Sequence, residues 1–213
     1  MKFLAIDTAN EYLTVLAYNG GKCVRSYLPD CAMRHSTELM KEVERALAEA
    51  ELSIADCDFF AAVVGAGSFT GIRIGISAAK GFCLAFDKPA LPVTSFELAA
   101  YNTLECGEKT LCIVNALHDA YYVCGFGKDG EVIFPPAYLT ESEVLSFCDE
   151  GYTLRVLGKG ECTLNIAKKA DVCVCDPVEG LLCATLRKAE RRQFGRLDAL
   201  YVRKSSAELN LQK

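Results

Sequence analysis

Residues 65–75 read Gly65-Ala66-Gly67-Ser68-Phe69-Thr70-Gly71-Ile72-Arg73-Ile74-Gly75, and this stretch says most about the fold of the chain. It follows the apolar run FFAAVV at residues 59–64, which is typical of a buried strand, and leads into a helical pattern from about Thr70 to Phe86. A strand, a glycine-rich turn and a helix in this order form a corner. Free backbone amides at such a corner, aided by the helix dipole, can bind an anion.

The spacing of these glycines matches neither the G-x-G-x-x-G pattern nor the P-loop, because no Lys-Ser/Thr pair follows a second glycine. Two interpretations stay open: the turn binds phosphate, or its glycines allow close packing. The small residues on one face of the following helix favour packing. They are Gly71, Gly75, Ala78 and Ala79. If the turn does bind a nucleotide, the candidate binding residues are Asp7, Thr8, Gly65, Gly67, Ser68 and Thr70.

Residues 2–28 predict a three-stranded antiparallel meander. KFLAIDT, EYLTVLAY and KCVRSYL are strand-like, and Asn19-Gly20-Gly21 between the last two is typical of a hairpin turn. Asp7 ends the first strand beside Thr8. Its carboxylate either positions a metal ion near phosphates or forms an Asx turn that fixes the hairpin, and the sequence supports both alternatives equally.

From His35 the apolar period becomes that of an amphipathic helix, with charged residues on the opposite side. The apolar stripe of this helix consists of Leu39, Met40, Val43, Ala46, Leu47 and Ala50. Further along, PALPV predicts a strand. Thr94 and Glu97 then have the spacing of a capping box, which predicts the start of a third helix.

A second unit begins near Leu111. It is predicted to hold the strands TLCIVNA, AYYVCGFG, EVIF, TLRVLG and DVCVC, with helices from Thr140, near CTLNIAKK and along EGLLCATLRKAERR. A shift of 108 positions lays the first hairpin over IVNALHDAYYVCGFGKDG, with Asp7 over Asn115. This faint repeat indicates a duplicated fold. The pattern predicts two α/β lobes, residues 1–104 and a smaller lobe of residues 105–213.

The composition narrows the class of protein. Of 213 residues, 51% are apolar and 24% charged, which fits a folded globular chain and argues against disorder. The net charge of −5 argues against binding nucleic acid with the whole surface. No apolar run is long enough to span a bilayer, and Asp7 interrupts the N-terminal apolar run before a signal peptide forms. We therefore expect a soluble, cytoplasmic protein without membrane contact.

The titratable side chains do not form a recognisable catalytic or metal-binding set. The twelve cysteines include no C-x-x-C pair, and many lie in strand-like runs, so we expect reduced thiols packed in the core. Cys173-Val174-Cys175 belongs to that group. The two histidines, His35 and His118, are expected at a helix start and in a hairpin turn with Asp119. The alternative at Asp7 apart, the sequence thus predicts no catalytic residue and no metal ligand.

One segment is locally basic. Residues 184–204 contain seven Lys and Arg against Glu190 and Asp198. This cluster is either a solvated helix face, which the pattern favours, or a contact for RNA or an acidic partner. The residues for such a contact are Arg187, Lys188, Arg191 and Arg192.

Several motifs resemble the bacterial tRNA threonylcarbamoyladenosine biosynthesis protein TsaB family, also called YeaZ. They are AIDTAN, RHSTEL, GAGSFTGIRIG, AAKGFCLAF and the closing ALYVRKSSAE. The resemblance covers most of the chain and is most specific over residues 59–97. It implies the two-lobed actin, hexokinase and Hsp70 (ASKHA) fold, with duplicated ribonuclease-H-like halves. It also implies that the last residues pack back on the N-terminal lobe.

The resemblance further implies a scaffold without catalysis of its own. Such a subunit binds the catalytic paralogue TsaD and works with the ATPase TsaE to transfer threonylcarbamoyl to the adenosine beside the tRNA anticodon. ATP and metal are then expected in the partner subunits, and a homodimer when the chain is alone. Leu39 stands where the paralogue's metal motif has its second histidine.

The family's dimer contact maps onto the helices from about His35 and Thr70. The residues implied are Leu39, Met40, Val43, Leu47, Gly75, Ala78, Ala79 and Phe82. Two positions depart from the family pattern: Ala66 replaces a proline, and Asn115 stands where relatives often carry Asp. The alternative function is a stand-alone phosphotransferase or ATPase of the same fold that uses Asp7 and the glycine turn.

Overall fold

The computed structural model describes residues 1–101, 109–116 and 120–203. The predicted lobe boundary after residue 104 and the predicted turn at His118 and Asp119 lie outside these residues. The first half consists, in chain order, of β1 (Lys2–Asp7), β2 (Leu13–Asn19), β3 (Lys22–Leu28), α1 (His35–Glu49), a 3₁₀ turn (Ile54–Asp56), β4 (Phe59–Val63), α2 (Phe69–Phe86), β5 (Ala90–Val93) and α3 (Ser95–Ala100).

The second half repeats this plan with shorter connections. Its elements are β6 (Thr110–Asn115), β7 (Ala120–Phe126), β8 (Val132–Thr140), α4 (Glu141–Asp149), β9 (Thr153–Leu157), a 3₁₀ turn (Asn165–Lys168), β10 (Val172–Cys175) and α5 (Pro177–Glu190). The helix predicted near CTLNIAKK is wrong, because that segment forms only the 3₁₀ turn. Ile166 is the one buried residue of the turn, so the segment lacks the apolar stripe that holds a helix on a core.

Each half contains a five-stranded mixed sheet, and the two sheets have the same topology. The strand order is β3-β2-β1-β4-β5 in the first and β8-β7-β6-β9-β10 in the second. In each, the first three strands form an antiparallel meander and the last two run parallel to the central strand. Asp7 ends β1 and Asn115 ends β6, as the repeat predicts. The predicted α/β fold with duplicated ribonuclease-H-like halves is confirmed.

The helices arrange these sheets in layers. One face of the first sheet packs against α1, through Leu4, Ile6 and Val15 of the sheet. On its other face lies α5, while α3 packs against the second sheet and contacts α5. The helices that follow the last strand of each half therefore cross over and fill the space between the two sheets. This shared core joins the two halves, and α4 covers part of the far side of the second sheet.

Side-chain hydrogen bonds fix several helix starts. Thr94 and Glu97 form the predicted capping box: Thr94 N donates to Glu97 Oε2 at 2.7 Å, and Glu97 N donates to Thr94 Oγ1 at 3.1 Å. Ser68 Oγ accepts from Gly71 N at 3.3 Å at the start of α2. The Asp176 carboxylate accepts from Val178 N at 2.7 Å at the start of α5.

All cysteines in the described part of the chain are free thiols, and those residues contain no cluster of three or more metal-ligating side chains. Burial raises the pKa of the Cys57 thiol to about 11 and that of Cys124 to about 12. The prediction that both Cys173 and Cys175 are core residues is wrong for Cys173, which is exposed. Cys175, two residues further along the same edge strand, is buried as predicted.

Helix α2 is long and apolar enough, by length and composition, to cross a membrane. Its inner residues Ile72, Ile76 and Ala79 nevertheless pack in the core of the chain, which is also how the central helix of a globular domain behaves. On the outer side of α2, polar Arg73, Ser77 and Lys80 are exposed beside apolar Leu84 and Ala85, and Ile74, Ala78 and Phe82 are partly exposed.

Candidate functional site

The end of the first hairpin holds a buried carboxylate. Asp7 Oδ1 accepts from Ala9 N at 2.8 Å, which is the hydrogen bond of an Asx turn. Asp7 Oδ2 is buried and makes no well-formed hydrogen bond. Burial raises the pKa of this carboxyl to about 6, a shift that the Ala9 amide and the Tyr12 hydroxyl offset only in part.

The glycine turn covers this hairpin instead of leaving a space beside it. Ser68 N donates to Ala9 O at 2.7 Å, and Thr8 Oγ1 donates to Gly71 O at 2.7 Å. A Cβ atom at Gly67 or Gly71 would approach the carbonyl oxygens of Ala9 and Thr8 to less than 3.0 Å. These glycines therefore permit two pieces of backbone to touch.

The C-terminal segment closes the same corner from outside. Leu200 N donates to Val64 O at 2.7 Å, and the Leu200 carbonyl occupies the place where a Cβ of Gly65 would be. Leu197 of this segment is buried, and Gly195 N donates to Ala90 O at 3.0 Å. Residues 195–200 thus lie along the first lobe.

The six residues predicted for nucleotide binding do not converge on an open surface. Asp7 and Thr8 are buried, and Gly65 lies beneath Leu200. Of the set, only Gly67 and Ser68 line the space between the lobes, and Thr70 is exposed on α2.

That space is a cavity of about 930 Å³ lined by residues of both lobes. Asn10, Tyr27 and Ser68 contribute from the first lobe, and Tyr122 and Lys159 from the second. The ammonium group of Lys159 lies 4.5 Å from the Tyr27 ring centre, so it bridges the two walls. Apart from Ser68, sequence reasoning missed this set because its members come from distant segments of no shared motif.

The predicted contact surface on α1 and α2 needs a correction. Leu39 and Val43 are buried against the first sheet, and Gly75 and Ala79 are buried on the inner side of α2. They are core residues because the apolar stripe of an amphipathic helix packs against the chain's own sheet. Met40 is 44% exposed, and Leu47, Ala78 and Phe82 are partly exposed.

Further apolar positions of α2 extend this exposed part. Ile74 is partly exposed, and a Cβ at Gly81 would meet nothing within 4 Å. We call the following set the α1–α2 surface: Met40, Leu47, Ile74, Ala78, Gly81 and Phe82. Helical spacing from Ala78 would have found Ile74 and Gly81 in the sequence.

Two of the four cations predicted to form a basic contact surface also need a correction. Lys188 Nζ lies 2.6 Å from Glu97 Oε1, with both side chains under 15% exposed (13% and 14%), so it joins α5 to α3. Arg187 donates to Asp129 O at 2.9 Å and lies 4.6 Å from the Tyr101 ring centre. These two cations hold the chain's own elements together, while Arg191 and Arg192 are exposed.

His35 is the first residue of α1, as predicted, and is buried. Its Nε2 lies 3.0 Å from Tyr12 O, and burial lowers its pKa, so the neutral imidazole donates to that carbonyl.

Comparison with known proteins shows which family and which proteins the chain is similar to. Residues 27–174 match the family model described as TsaD, tRNA N6-adenosine threonylcarbamoyltransferase. The chain is similar to TsaB of Escherichia coli K12, with 36% identity over 95 residues, which is 45% of this chain and 41% of that protein. It is similar to TsaB of Bacillus subtilis 168, with 31% identity over 102 residues, 48% of this chain and 44% of that protein.

Each of these two alignments spans less than half the length of the curated relative. Among solved structures, YeaZ from Pseudomonas aeruginosa superposes with a TM-score of 0.76 at 22% identity, over 94% of this chain and 99% of that one. This likeness establishes the shared fold. From the fold, the family model and the similar sequences together, the chain belongs to the TsaB/YeaZ family of threonylcarbamoyladenosine biosynthesis proteins.

Proposed function

We propose that this chain is a non-catalytic partner subunit in tRNA threonylcarbamoyladenosine formation, and that it binds a TsaD-type catalytic paralogue through the α1–α2 surface. Its membership of the TsaB/YeaZ family supports the pathway. The observation that supports the binding role is the α1–α2 surface, whose apolar and small side chains stay partly or fully exposed in the part of the chain that the structure describes.

Gly81 is the residue of this surface that most favours close contact with a helix of a partner. A glycine in the middle of a helix destabilises the helix by about 1 kcal/mol relative to alanine. No neighbour within 4 Å in the described chain explains the missing side chain. A helix of a partner would explain it, because a small residue lets two helix backbones approach closely. Leu84, 87% exposed on the same helix, adds apolar area at the side of the surface.

The same surface would serve either the paralogue or a second copy of the chain. We therefore expect the homodimer and the heterodimer to compete, with the homodimer formed when the chain is alone. We further propose that the ATPase TsaE and the tRNA join through the assembled complex in the cytoplasm, and that ATP and metal belong to the partner subunits.

The arrangement around Asp7 supports a subunit without catalysis or cofactor. Asp7 and Thr8, the residues placed to hold a metal ion and a phosphate, are buried beneath the glycine turn. Opening this corner would break the hydrogen bonds from Ser68 to Ala9 and from Leu200 to Val64.

Gly81→Arg tests the binding role without touching the core. The new side chain projects into open space, and the loss of glycine favours the helix, so the thermal midpoint of unfolding should stay level or rise. Association with the paralogue, measured by light scattering after gel filtration, should fall at least tenfold because the bulky charge prevents close approach. Val43→Glu is unsuitable, because Val43 is a core residue and its replacement would unfold the chain.

Ser146→Arg is the matched control, since it places the same side chain at an exposed helical position in the other lobe. It should leave association unchanged. Full association of the Gly81→Arg variant would show that the partner binds elsewhere.

Omission of the chain tests the pathway itself. Threonylcarbamoyl transfer to tRNA is reconstituted from the paralogue, the ATPase and this chain, and is then repeated without the chain. We expect modification to stop, and the chain alone to release no phosphate from ATP. Modification at an undiminished rate would overturn the proposal.

The cavity of about 930 Å³ between the lobes supports a second candidate, a phosphotransferase or ATPase that works alone. Calorimetric titration of the isolated chain with ATP and magnesium distinguishes the two. Micromolar binding with phosphate release would favour the second candidate.

A further inference from the structure

A row of aromatic rings and guanidinium groups runs along the interlobe cavity, and four of its six members line that cavity. We call it the rim; it consists of Phe69, Arg73, Tyr122, Tyr138, Tyr201 and Arg203. The Phe69 and Tyr201 rings are stacked with centres 4.1 Å apart, and the guanidinium carbon of Arg73 lies 4.1 Å from the Phe69 ring centre. On the other lobe, the guanidinium carbon of Arg203 lies 5.0 Å from the Tyr138 ring centre.

The C-terminal segment joins the two parts of the rim. Tyr201 stacks on α2 in the first lobe, and Arg203, two residues later, lies on β8 in the second. Tyr138 continues the row to Tyr122, at 5.8 Å between ring centres. Tyr201 is 39% exposed and Tyr138 is 37% exposed, so ring surface is available at both ends.

No carboxylate of the described residues neutralises the two guanidinium groups of this row. Within the described residues, neither Arg73 nor Arg203 lies within 4.0 Å of a carboxylate oxygen, whereas Arg25, Arg45 and Arg196 each form such an ion pair. Arg73 Nε donates to the Tyr201 hydroxyl at 2.9 Å, and Arg203 donates to the Tyr138 hydroxyl at 3.4 Å. These bonds orient both guanidinium groups and leave their positive charge for an external anion.

Flat rings alternating with unneutralised guanidinium groups have the chemistry that binds single-stranded nucleic acid. Unpaired bases stack on aromatic faces and on arginine, while the phosphates between them pair with the cations. The cavity behind the rim also contains Glu11, Asp30 and Glu161, which repel phosphate. A bound strand would therefore stay on the rim instead of entering the cavity.

We propose that the rim binds unpaired RNA nucleotides across the two lobes. The choice of RNA over DNA rests on the proposed function, whereas the preference for an unpaired strand rests on the rim alone. The site differs from the basic contact predicted from sequence, since Arg187 and Lys188 are used inside the chain. It also differs from the α1–α2 surface, so the two roles can be tested separately.

Fluorescence anisotropy with a labelled, unstructured 12-nucleotide RNA and the corresponding duplex tests the proposal on the full chain. We expect the single strand to bind at least tenfold more tightly than the duplex. The double variant Arg73→Gln with Arg203→Gln should weaken binding of the single strand at least tenfold. It should also reduce the slope of log affinity against log salt by about 1.4, which corresponds to two lost phosphate contacts.

Further variants separate stacking from charge. Tyr201→Leu should weaken binding about tenfold and keep the salt slope, because one base loses its stacking partner. Replacing both arginines by lysine should keep the slope and lower affinity less than glutamine does. Lys128→Gln, at an exposed cation in the turn between β7 and β8, is the control and should change affinity less than twofold.

Equal affinity for duplex and single strand, no binding at 100 µM protein, or unchanged affinity of the folded double variant would each overturn the proposal. Association of the double variant with the catalytic paralogue is measured in parallel. If association persists while RNA binding is lost, the rim is an RNA site apart from the partner surface. If the wild-type chain binds the paralogue but not RNA, the rim proposal fails and the proposed function stands.

Discussion

The two halves of this molecule share a sheet topology but differ in the connection that follows the fourth strand of each sheet. In the first half, β4 leads through a crowded glycine turn into the 18-residue helix α2. In the second, β9 is followed by Gly158 and Gly160 and then by a single 3₁₀ turn. The comparison teaches that the duplicated sheets form a common frame, while the long connecting helix gives the first half a partly exposed surface that the second half lacks.

The ends of the central strands differ in the same way. Asp7 at the end of β1 is a buried carboxylate under the glycine turn, whereas Asn115 at the end of β6 is neutral and exposed. The first half therefore holds a destabilised charge that the second half lacks. Six variants, arranged in four tests, sharpen or break such contrasts between regions of the molecule.

The largest effect is expected for Gly67→Ala compared with Gly160→Ala. Both glycines have positive φ, 151° and 88°, but a Cβ at residue 67 would collide with the Ala9 carbonyl, while one at residue 160 would meet nothing within 4 Å. Gly67→Ala should lower the free energy of unfolding by about 3 kcal/mol or more, and Gly160→Ala by about 1 kcal/mol from backbone strain alone. Urea titration measures both, and equal losses would mean that the first corner is not crowded.

Asp7→Asn makes the first half resemble the second. The pKa of Asp7 is about 6 in the folded chain against 3.8 for the ordinary carboxyl, so the folded chain holds this proton more tightly than the unfolded chain does. Its ionisation therefore lowers the free energy of unfolding as pH rises from about 4 to about 6. The variant should be more stable than the wild type by about 2–3 kcal/mol at pH 7 and equally stable below pH 4.

Urea titrations of both proteins at several pH values give that difference directly, because the other carboxyl groups titrate alike in both. A difference that does not change between pH 4 and pH 7 would contradict the raised pKa of Asp7.

Lys188→Ala compared with Arg191→Ala separates the two kinds of cation on the last helix. Removal of Lys188 leaves the nearly buried Glu97 carboxylate without its ion pair, which should cost about 2 kcal/mol of unfolding free energy. Arg191 is exposed, and its removal should change stability by less than about 0.5 kcal/mol. Similar small losses at both positions would restore the prediction of one solvated basic face.

The smallest effect is expected for Gly81→Ala. The new methyl group meets open space and the helix loses a glycine, so the free energy of unfolding should rise by about 0.5–1 kcal/mol. Differential scanning calorimetry of dilute protein measures the change in the unfolding midpoint. A fall in the midpoint would indicate that a copy of the chain already covers this position.

Much of the fold followed from sequence because its signals are local. The Asn19-Gly20 turn, the stripe of α1 and the Thr94–Glu97 capping box each depend on residues close in the chain, and the structure has all three. The helix predicted near CTLNIAKK is wrong because the few apolar residues of this segment do not decide between a helix and a single turn.

The functional sites were predicted less accurately from the sequence than the fold was. Leu39, Val43, Gly75 and Ala79 were correctly identified as an apolar or small-residue pattern but wrongly assigned to the surface. Periodicity shows that a helix has an apolar face, but it does not show whether that face meets the chain's own sheet or a partner.

The sequence by itself thus determined the two duplicated α/β halves, the family and the glycine-rich corner, because these depend on neighbouring residues and on motifs. Only the tertiary structure decided which side of α2 is free, that Lys188 pairs with Glu97, and that Arg73 and Arg203 share one rim. Those facts depend on contacts between residues 65 to 128 positions apart, and such contacts form only when the sheets and helices pack together.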